Sequence, residues 1–467
     1  LPMRWIDAGE DGLNRQVGLG TFDKAIFERL DQTIVPLGVN CIELLPVQDS
    51  PDTLNWGYGT RFFFAPDIDM GEAFDLKLFV LRCHQRGIRV IMDLVMNHAK
   101  KCPLRDLAFD SFFLRDGNEE PGPDGPRLGW GGDIFRYRSV GAAKTFHCDV
   151  AEFLLNEYHI DGFRLDEFKG IDNYEFVQDF TENAWAKYQA AFPGRPFIVI
   201  AEDSWTRSDI WDFKFREDVR RLASDSLDTI FGQPSRSDHV RTLVSTGPYP
   251  DMASHVAYCT SHDVEADNEQ RLFSFFVEKL KPLGGDPSLL GLDQVHAAFA
   301  LTLTAAGIPM FLAGEEFADL HDTDHRDWRR KMSDPVDWER ADEPGRRDLL
   351  GRIRDLIWLR RHHSALQRNE VQFFAFVGGF HPNFDQNDEE RLFAFCRTGG
   401  QPLGSGGQVI VVANCRRQDY PDVWMDWPWG FRPTLRERGG IGQAMPFIAG
   451  SQAKVPLAPF QVRVFEV

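Results

Sequence analysis

Residues 160–170 read IDGFRLDEFKG. Phe163 and Leu165 alternate with Gly162, Arg164 and Asp166, the period-two pattern of a short β-strand. Side chains alternate along a strand, so Arg164 and Asp166 point the same way. A charged pair at a strand end is an ordinary structural feature, and alone the stretch says no more. What surrounds it decides. A helical stretch over 173–192 follows, and the same strand-then-helix grammar recurs along the chain.

VNCIELLPV (39–47) precedes a helix near 72–87, and IRVIMDLV (88–95) leads through a loop-rich segment to a helix near 148–158. PFIVIAED (196–203), SLDTIFG (226–232), HVAYCTSHD (255–263) and GIPMFLAGEE (307–316) continue the series. Seven strands alternating with helices predict an α/β fold with a parallel sheet. Seven or eight such units over about 350 residues suit a (β/α)8 TIM barrel with inserted loops. A doubly wound open sheet is the alternative, and the lack of a Gly-rich nucleotide fingerprint after an early strand counts against it. MRWIDAGED (3–11) is the candidate first strand.

Segment 99–147 is rich in Gly, Pro, Asp and Arg, and long loops inside compact domains are usually functional. It is expected to form a short inserted subdomain after strand three. From about residue 365 the grammar changes. VQFFAFVGGF, RLFAFCRTG, GQVIVVANC and FQVRVFEV read as strands separated by Gly and Pro turns, a C-terminal antiparallel β-sandwich. The expected division is a barrel over 1–98 and 148–362, the insert over 99–147 and a β domain over 363–467.

Composition bounds the partners. A net charge of −19 repels phosphate backbones and anionic headgroups, which argues against nucleic acid and membrane surfaces. Aromatics make up 13% of the 467 residues. Their faces suit flat, weakly charged ligands such as sugars, though most rings serve as core. Cysteines 41, 83, 102, 148, 259, 396 and 415 are odd in number and form no CxxC or Cys/His cluster. Several sit in apolar strands, which fits buried free thiols and favours a reducing, cytoplasmic compartment. No apolar run is long enough for a transmembrane helix and no signal peptide is visible. With Leu1 as the first residue, a secreted form stays open. Oligomeric state is not legible.

Barrels of this kind place their sites at the C-terminal strand ends. There the sequence sets Asp93, Asn97 and His98 (DLVMNH), then Arg164 and Asp166 with Lys169 beyond, then Glu202 and Asp203, then His262 and Asp263. A stability role does not need them all at that end. Retaining glycoside hydrolysis does have a use for them. It takes two carboxyls about 5–5.5 Å apart, one ionised to attack the anomeric carbon and one protonated to give its proton to the leaving oxygen. Arg164 is expected to hold Asp166 ionised. Glu202 is the expected acid, raised by burial and neighbouring carboxylates. Asp263, His98 and His262 suit the grip on sugar hydroxyls.

DLVMNH, GFRLDEFKG, the Glu of IVIAED and TSHD resemble, in order and spacing, the four motifs of the α-amylase family, glycoside hydrolase family 13. NWGYGTRFFFAPD is similar to that family's stretch after the second strand, and GIPMFLAGEEF to its eighth-strand segment. The resemblance covers roughly residues 20–320. It implies Asp166 as nucleophile, Glu202 as general acid/base and Asp263 as transition-state stabiliser. It implies a −1 subsite with Tyr58 stacked under the sugar, Arg164, His98 and His262, and Asp93 in its floor. Lys169 matches a leaving-group-side sugar contact of amylases. Trp56 and Trp205 flank these residues as candidate stacking rings, with core packing as the alternative. No cofactor is required. Asn97 matches a calcium-ligating position in many amylases, and Asp110, Asp116, Asp124 and Asp133 offer further oxygens, but Gly170 stands where calcium-binding relatives carry His. The short insert and the GIPMFLAGEEF form look like branching enzymes and maltooligosyl-trehalose trehalohydrolases. The resemblance therefore implies a retaining hydrolase of α-glucans or maltooligosaccharides. A branching-type transglycosidase with the same residues, and a non-catalytic glucan-binding protein, are the alternatives.

Overall fold

The computed structural model describes residues 1–7, 18–51, 56–116, 125–129, 131–137, 141–202, 210–224, 237–263, 270–281, 287–320, 334–373, 392–430 and 434–467. The chain divides into two compact units, Leu1–Asp203 with His321–Val336, and Ser204–Leu320 with Asp337–Val467.

Four parallel strands organise the first unit. In chain order they are β1 (Cys41–Leu44), β2 (Arg89–Val95), β3 (Gly162–Asp166) and β4 (Ile198–Ala201), hydrogen-bonded in that sequence. β2 and β3 are buried along almost their whole length, as strands covered on both faces must be. The helix before β2, Ala73–Gln85, starts with a reciprocal cap between Glu72 and Asp75 and buries Leu76, Phe79, Val80 and Cys83. That i, i+3, i+4, i+7 stripe lies against the sheet. Gly87, at φ +70°, turns the chain back into β2.

The foot of β3 is pinned by one buried carboxylate. Asp161 accepts from the Val90 amide at 2.8 Å and from the Tyr188 hydroxyl at 2.7 Å, and lies 2.8 Å from His84 Nε2. His84 sits on the helix before β2 and Tyr188 on Tyr174–Ala191, so one residue ties two helices and two strands. The next residue has to be glycine. A Cβ on Gly162 would stand 1.8 Å from the Ile198 carbonyl oxygen of β4. β3 and β4 therefore close up and hold register, Leu165 opposite Ala201.

The expected first strand is corrected. Met3–Ile6 is a 3-10 turn with Met3, Trp5 and Ile6 buried, so its apolar residues serve a turn and not a ladder. Residues 8–11 of that stretch lie outside the described residues. A helical run over 22–37, mostly of π type, was not read from the sequence. Within 99–147 the described residues form the helix Leu104–Phe112 and a short antiparallel pair, His98–Ala99 with Asp133–Ile134.

In the second unit three more parallel strands follow, β5 (Ile210–Trp211), β6 (His255–Tyr258) and β7 (Ile308–Met310). The strand expected at 226–232 lies outside the described residues. Helix Pro287–Thr304 precedes β7, and its C-terminal carbonyls are met by two buried guanidinium groups. Arg360 donates to Leu303 and Ala305, and Arg397 donates to Thr304, which places cations where the helix dipole is negative. Just past β7 the chain buries Glu316 completely. Its carboxyl, accepting from the Gly314 amide at 2.8 Å, is pushed up to about 7 by burial.

The C-terminal part of this unit is antiparallel. Strands β8 (Val371–Phe373), β9 (Leu392–Arg397), β10 (Val409–Asn414), β11 (Tyr420–Asp426), β12 (Arg436–Arg438), β13 (Phe447–Ala449), β14 (Gln452–Leu457) and β15 (Val462–Glu466) form two sheets, ordered 8-9-10-15-12 and 11-14-13. Inward residues of both sheets, among them Ile410, Phe465, Met425 and Val455, share one apolar core with Trp427 and Trp429. The seven cysteines are all free, five of them buried and Cys41 and Cys148 half-buried. Among the described residues no helix is long and apolar enough to cross a membrane.

Candidate active site

Register brings the carboxylates together. β2 and β3 align Asp93 with Arg164, and β3 and β4 align Arg164 with Ile200. Period-two alternation then puts Asp93, Arg164, Asp166 and Glu202 on one side at the C-terminal end of the three strands. Glu202 continues the ladder one residue past β4, its amide donating to Leu165 O at 3.0 Å.

The Arg164 guanidinium, with no exposed surface, is the centre. Nη1 donates to Asp93 Oδ2 at 2.6 Å and to Asp166 Oδ1 at 3.1 Å, and Nη2 lies 3.1 Å from Glu202 Oε1. The Tyr58 hydroxyl donates to Asp93 Oδ2 at 2.5 Å and is 3.3 Å from Arg164 Nη1. Three carboxylates thus surround one cation. Burial works against the charge on Arg164, and Asp93, Glu202 and Asp166 more than restore it.

The expectation for Asp166 is corrected here. Its carboxyl is pushed well above the ordinary range, by burial first and then by Glu202 and Asp93, against the pull of Arg164 and His98. Asp93 is pushed up to about 8, again by burial first. One guanidinium cannot balance two buried carboxylates with the half-buried Glu202 beside them, so the cluster retains a proton where isolated carboxyls would lose theirs.

His98 closes another side, with Nε2 2.7 Å from the Tyr58 carbonyl oxygen and Nδ1 3.6 Å from Glu167 Oε2. Glu167 was not singled out from the sequence as a site residue. It adopts a left-handed backbone, φ +44°, directly after Asp166. Its amide donates to Glu202 Oε2 at 2.8 Å, and its Oε2 accepts from Asn97 Nδ2 at 2.6 Å. The one legible signal was an acidic residue next to the proposed nucleophile.

The remaining candidates separate. Lys169 is exposed in the short turn Phe168–Ile171. Trp56 is buried and packs edge-on against Trp5, centroids 6.3 Å apart, so its surroundings are those of a core ring. Asp203, Trp205 and Asp124 lie outside the described residues. His262 and Asp263 belong to the second unit, beyond the end of β6, with His262 Nε2 3.1 Å from Asp263 Oδ1.

Calcium needs six to eight oxygens. Asn97 Oδ1 is buried without a hydrogen-bond partner, but Asp110 is paired with Arg115 at 2.6 Å and Asp133 with Arg105 at 2.7 Å. Among the described residues no three His, Cys, Asp or Glu side chains are grouped to hold a metal. Among the described residues that donor set falls short of a calcium site.

Residues 2–103 match the family model of the alpha amylase catalytic domain. A cyclomaltodextrinase of Geobacillus thermopakistaniensis is 26% identical over 409 residues, 84% of this chain and 61% of that protein. The 1,4-alpha-glucan branching enzyme GlgB of Shewanella frigidimarina is 24% identical over 437 residues, 86% of this chain and 54% of that enzyme. The chain thus spans between about half and three-fifths of these curated relatives. Among solved structures, an α-amylase from Geobacillus thermoleovorans complexed with acarbose superposes with a TM-score of 0.70 at 18% identity, covering 100% of this chain and 96% of that one. A pullulanase from Paenibacillus barengoltzii in complex with maltohexaose and α-cyclodextrin gives 0.75 at 19%, covering 100% and 76%. The fold is shared with these structures, and the similarity to the alpha amylase catalytic domain is carried by residues 2–103 and by these partial relatives.

Proposed function

We propose that this chain is a retaining glycoside hydrolase that cleaves α-glucosidic bonds in α-glucans or maltooligosaccharides by double displacement. One observation carries the reading: Asp166 and Glu202, on neighbouring strands in register, each meet the same buried guanidinium at 3.1 Å. Adjacent strands lie about 4.8 Å apart, which suits the about 5–5.5 Å of a retaining carboxyl pair. Asp166 attacks the anomeric carbon in its ionised form, with the proton that the cluster retains standing on Glu202, which delivers it to the departing glycosidic oxygen. The glycosyl ester on Asp166 then breaks as Glu202 takes a proton from the water that displaces it. Arg164 supports Asp166 as its charge returns. Tyr58, held through its hydroxyl by Asp93, is the platform under the −1 sugar. Asp263 supports the oxocarbenium-like transition state, and His98 and His262 bind −1 hydroxyls. Lys169, exposed beyond Asp166, fits a leaving-group-side contact.

The chemistry needs no cofactor. A closed (β/α)8 barrel over 1–98 and 148–362, the inserted subdomain over 99–147 and the β domain over 363–467 belong to the same proposal, supported by the likeness to solved amylase and pullulanase structures. Products from maltoheptaose and amylose test it. New reducing ends are expected, and unchanged substrate would leave only glucan binding. Transfer to a sugar acceptor is the second reading, favoured by the branching-enzyme relatives, and would change chain length or branching at constant reducing ends.

A further inference from the structure

The structure assigns Glu167 as a positioning residue that links the ends of three strands, an inference that rests on the reading of Asp166, Glu202 and His98 just given. The observation is one residue acting in two directions. Its backbone amide, presented by the left-handed turn at φ +44°, donates to Glu202 Oε2 at 2.8 Å. Its carboxylate reaches back to the end of β2, taking the Asn97 amide at 2.6 Å and facing His98 Nδ1 at 3.6 Å.

A non-glycine residue pays a conformational cost in that backbone region and keeps it only where surrounding contacts over-determine it. Here they do. Asn97 is fully buried and gives its amide nitrogen to Glu167. His98 is fully buried, and Nδ1 has no hydrogen-bond partner within bonding distance. Glu167 is the carboxylate that faces that nitrogen, and its own acidity is strengthened by His98 and then Asn97 against the opposing effect of burial. Nε2 of the same ring meets the Tyr58 carbonyl at 2.7 Å. The chain of contacts therefore runs from Glu167 through His98 to the backbone of Tyr58, whose hydroxyl meets Asp93 and Arg164. Glu167 does not touch the reacting atoms. It fixes the ring and the tyrosine that do the work on the sugar, while its amide fixes the acid.

The test is a double-mutant cycle on maltoheptaose with Glu167→Ala, His98→Ala, the double variant and Glu167→Gln. Glu167→Ala is expected to lower kcat roughly ten- to a hundredfold with KM little changed, because misplacement costs the transition state more than the ground state. Glu167→Gln, whose amide oxygen still accepts from Asn97, should recover most of the loss. The double variant should be no slower than His98→Ala, since both changes cut one link. Losses that multiply, or a Glu167→Ala enzyme with wild-type kcat, overturn the assignment. The imidazole ¹⁵N resonances of His98 give a readout without turnover and should move in Glu167→Ala. A chain inactive on every glucan would sink the glycosidase reading and leave that measurement standing. Resonances that do not move would overturn the Glu167 link and leave the glycosidase reading in place.

Discussion

Replacing Asp166 with Asn keeps shape and hydrogen bonding but removes the oxygen that must form the ester. Turnover of maltoheptaose should fall more than about a thousandfold with the melting temperature nearly unchanged. Activity within tenfold of wild type would take Asp166 out of the nucleophile role. Glu202→Gln should be equally poor on natural glucans yet still consume a glycosyl fluoride or nitrophenyl donor, whose leaving group departs without a proton. Equal loss on both substrates would make Glu202 a structural residue. At this scale the sequence carried the shared face of Arg164 and Asp166, because period two alone decides it, whereas Asp93 joins them through the register of β2 and β3. It could not carry Glu167, whose contacts depend on a single left-handed φ. It also misjudged the charge balance at Asp166 by weighing Arg164 alone, when the register adds Glu202 and Asp93 on the other side.

Elements set the stereochemistry. Asp166 and Glu202 end adjacent strands, and an inverting pair would need about 6.5–9.5 Å to admit a water. An α-glucan should therefore release an α product first, seen in the anomeric proton signals before mutarotation. A β product at early times would refute the double displacement. The elements most legible in sequence were those with long periodic stretches: the helix expected near 72–87 is Ala73–Gln85, and that expected over 173–192 is Tyr174–Ala191. β5 escaped because two residues carry no period. β11 escaped because Pro421 interrupts its pattern and an irregularity between Tyr420 and Val423 shifts its register. The strand expected in MRWIDAGED failed because a few apolar residues can bury themselves in a 3-10 turn as well as on a sheet.

For the whole molecule the buried acids make folding depend on pH. Glu316, ordinarily near 4.5, is pushed up to about 7 in the fold. Below the lower value both folded and unfolded chains hold the proton. Between the two values only the folded chain must keep it, so stability falls as pH rises, by roughly 3 kcal/mol in all. His147 works the other way: burial pushes it down to about 4, and stability rises with pH below its ordinary 6.5. The wild-type curve mixes both effects, so the diagnostic is the difference from Glu316→Gln, which stays neutral and can still accept from Gly314. The gap in melting temperature in favour of the variant should widen from pH 5 to 7.5, and parallel curves would reject the buried proton.

The cysteines supply a second gauge of the same transition. Cys41, Cys83, Cys259 and Cys396 are each pushed up to about 12 by burial, and a thiol held neutral is a poor nucleophile. Alkylating or disulfide-exchange reagents at neutral pH will find the buried Cys83, Cys259 and Cys396 only after the surrounding core has opened. Because these three lie on the helix before β2, beyond β6 and on β9, peptide mapping of the modified sites becomes a clock for each region, telling which part of the chain lets go first.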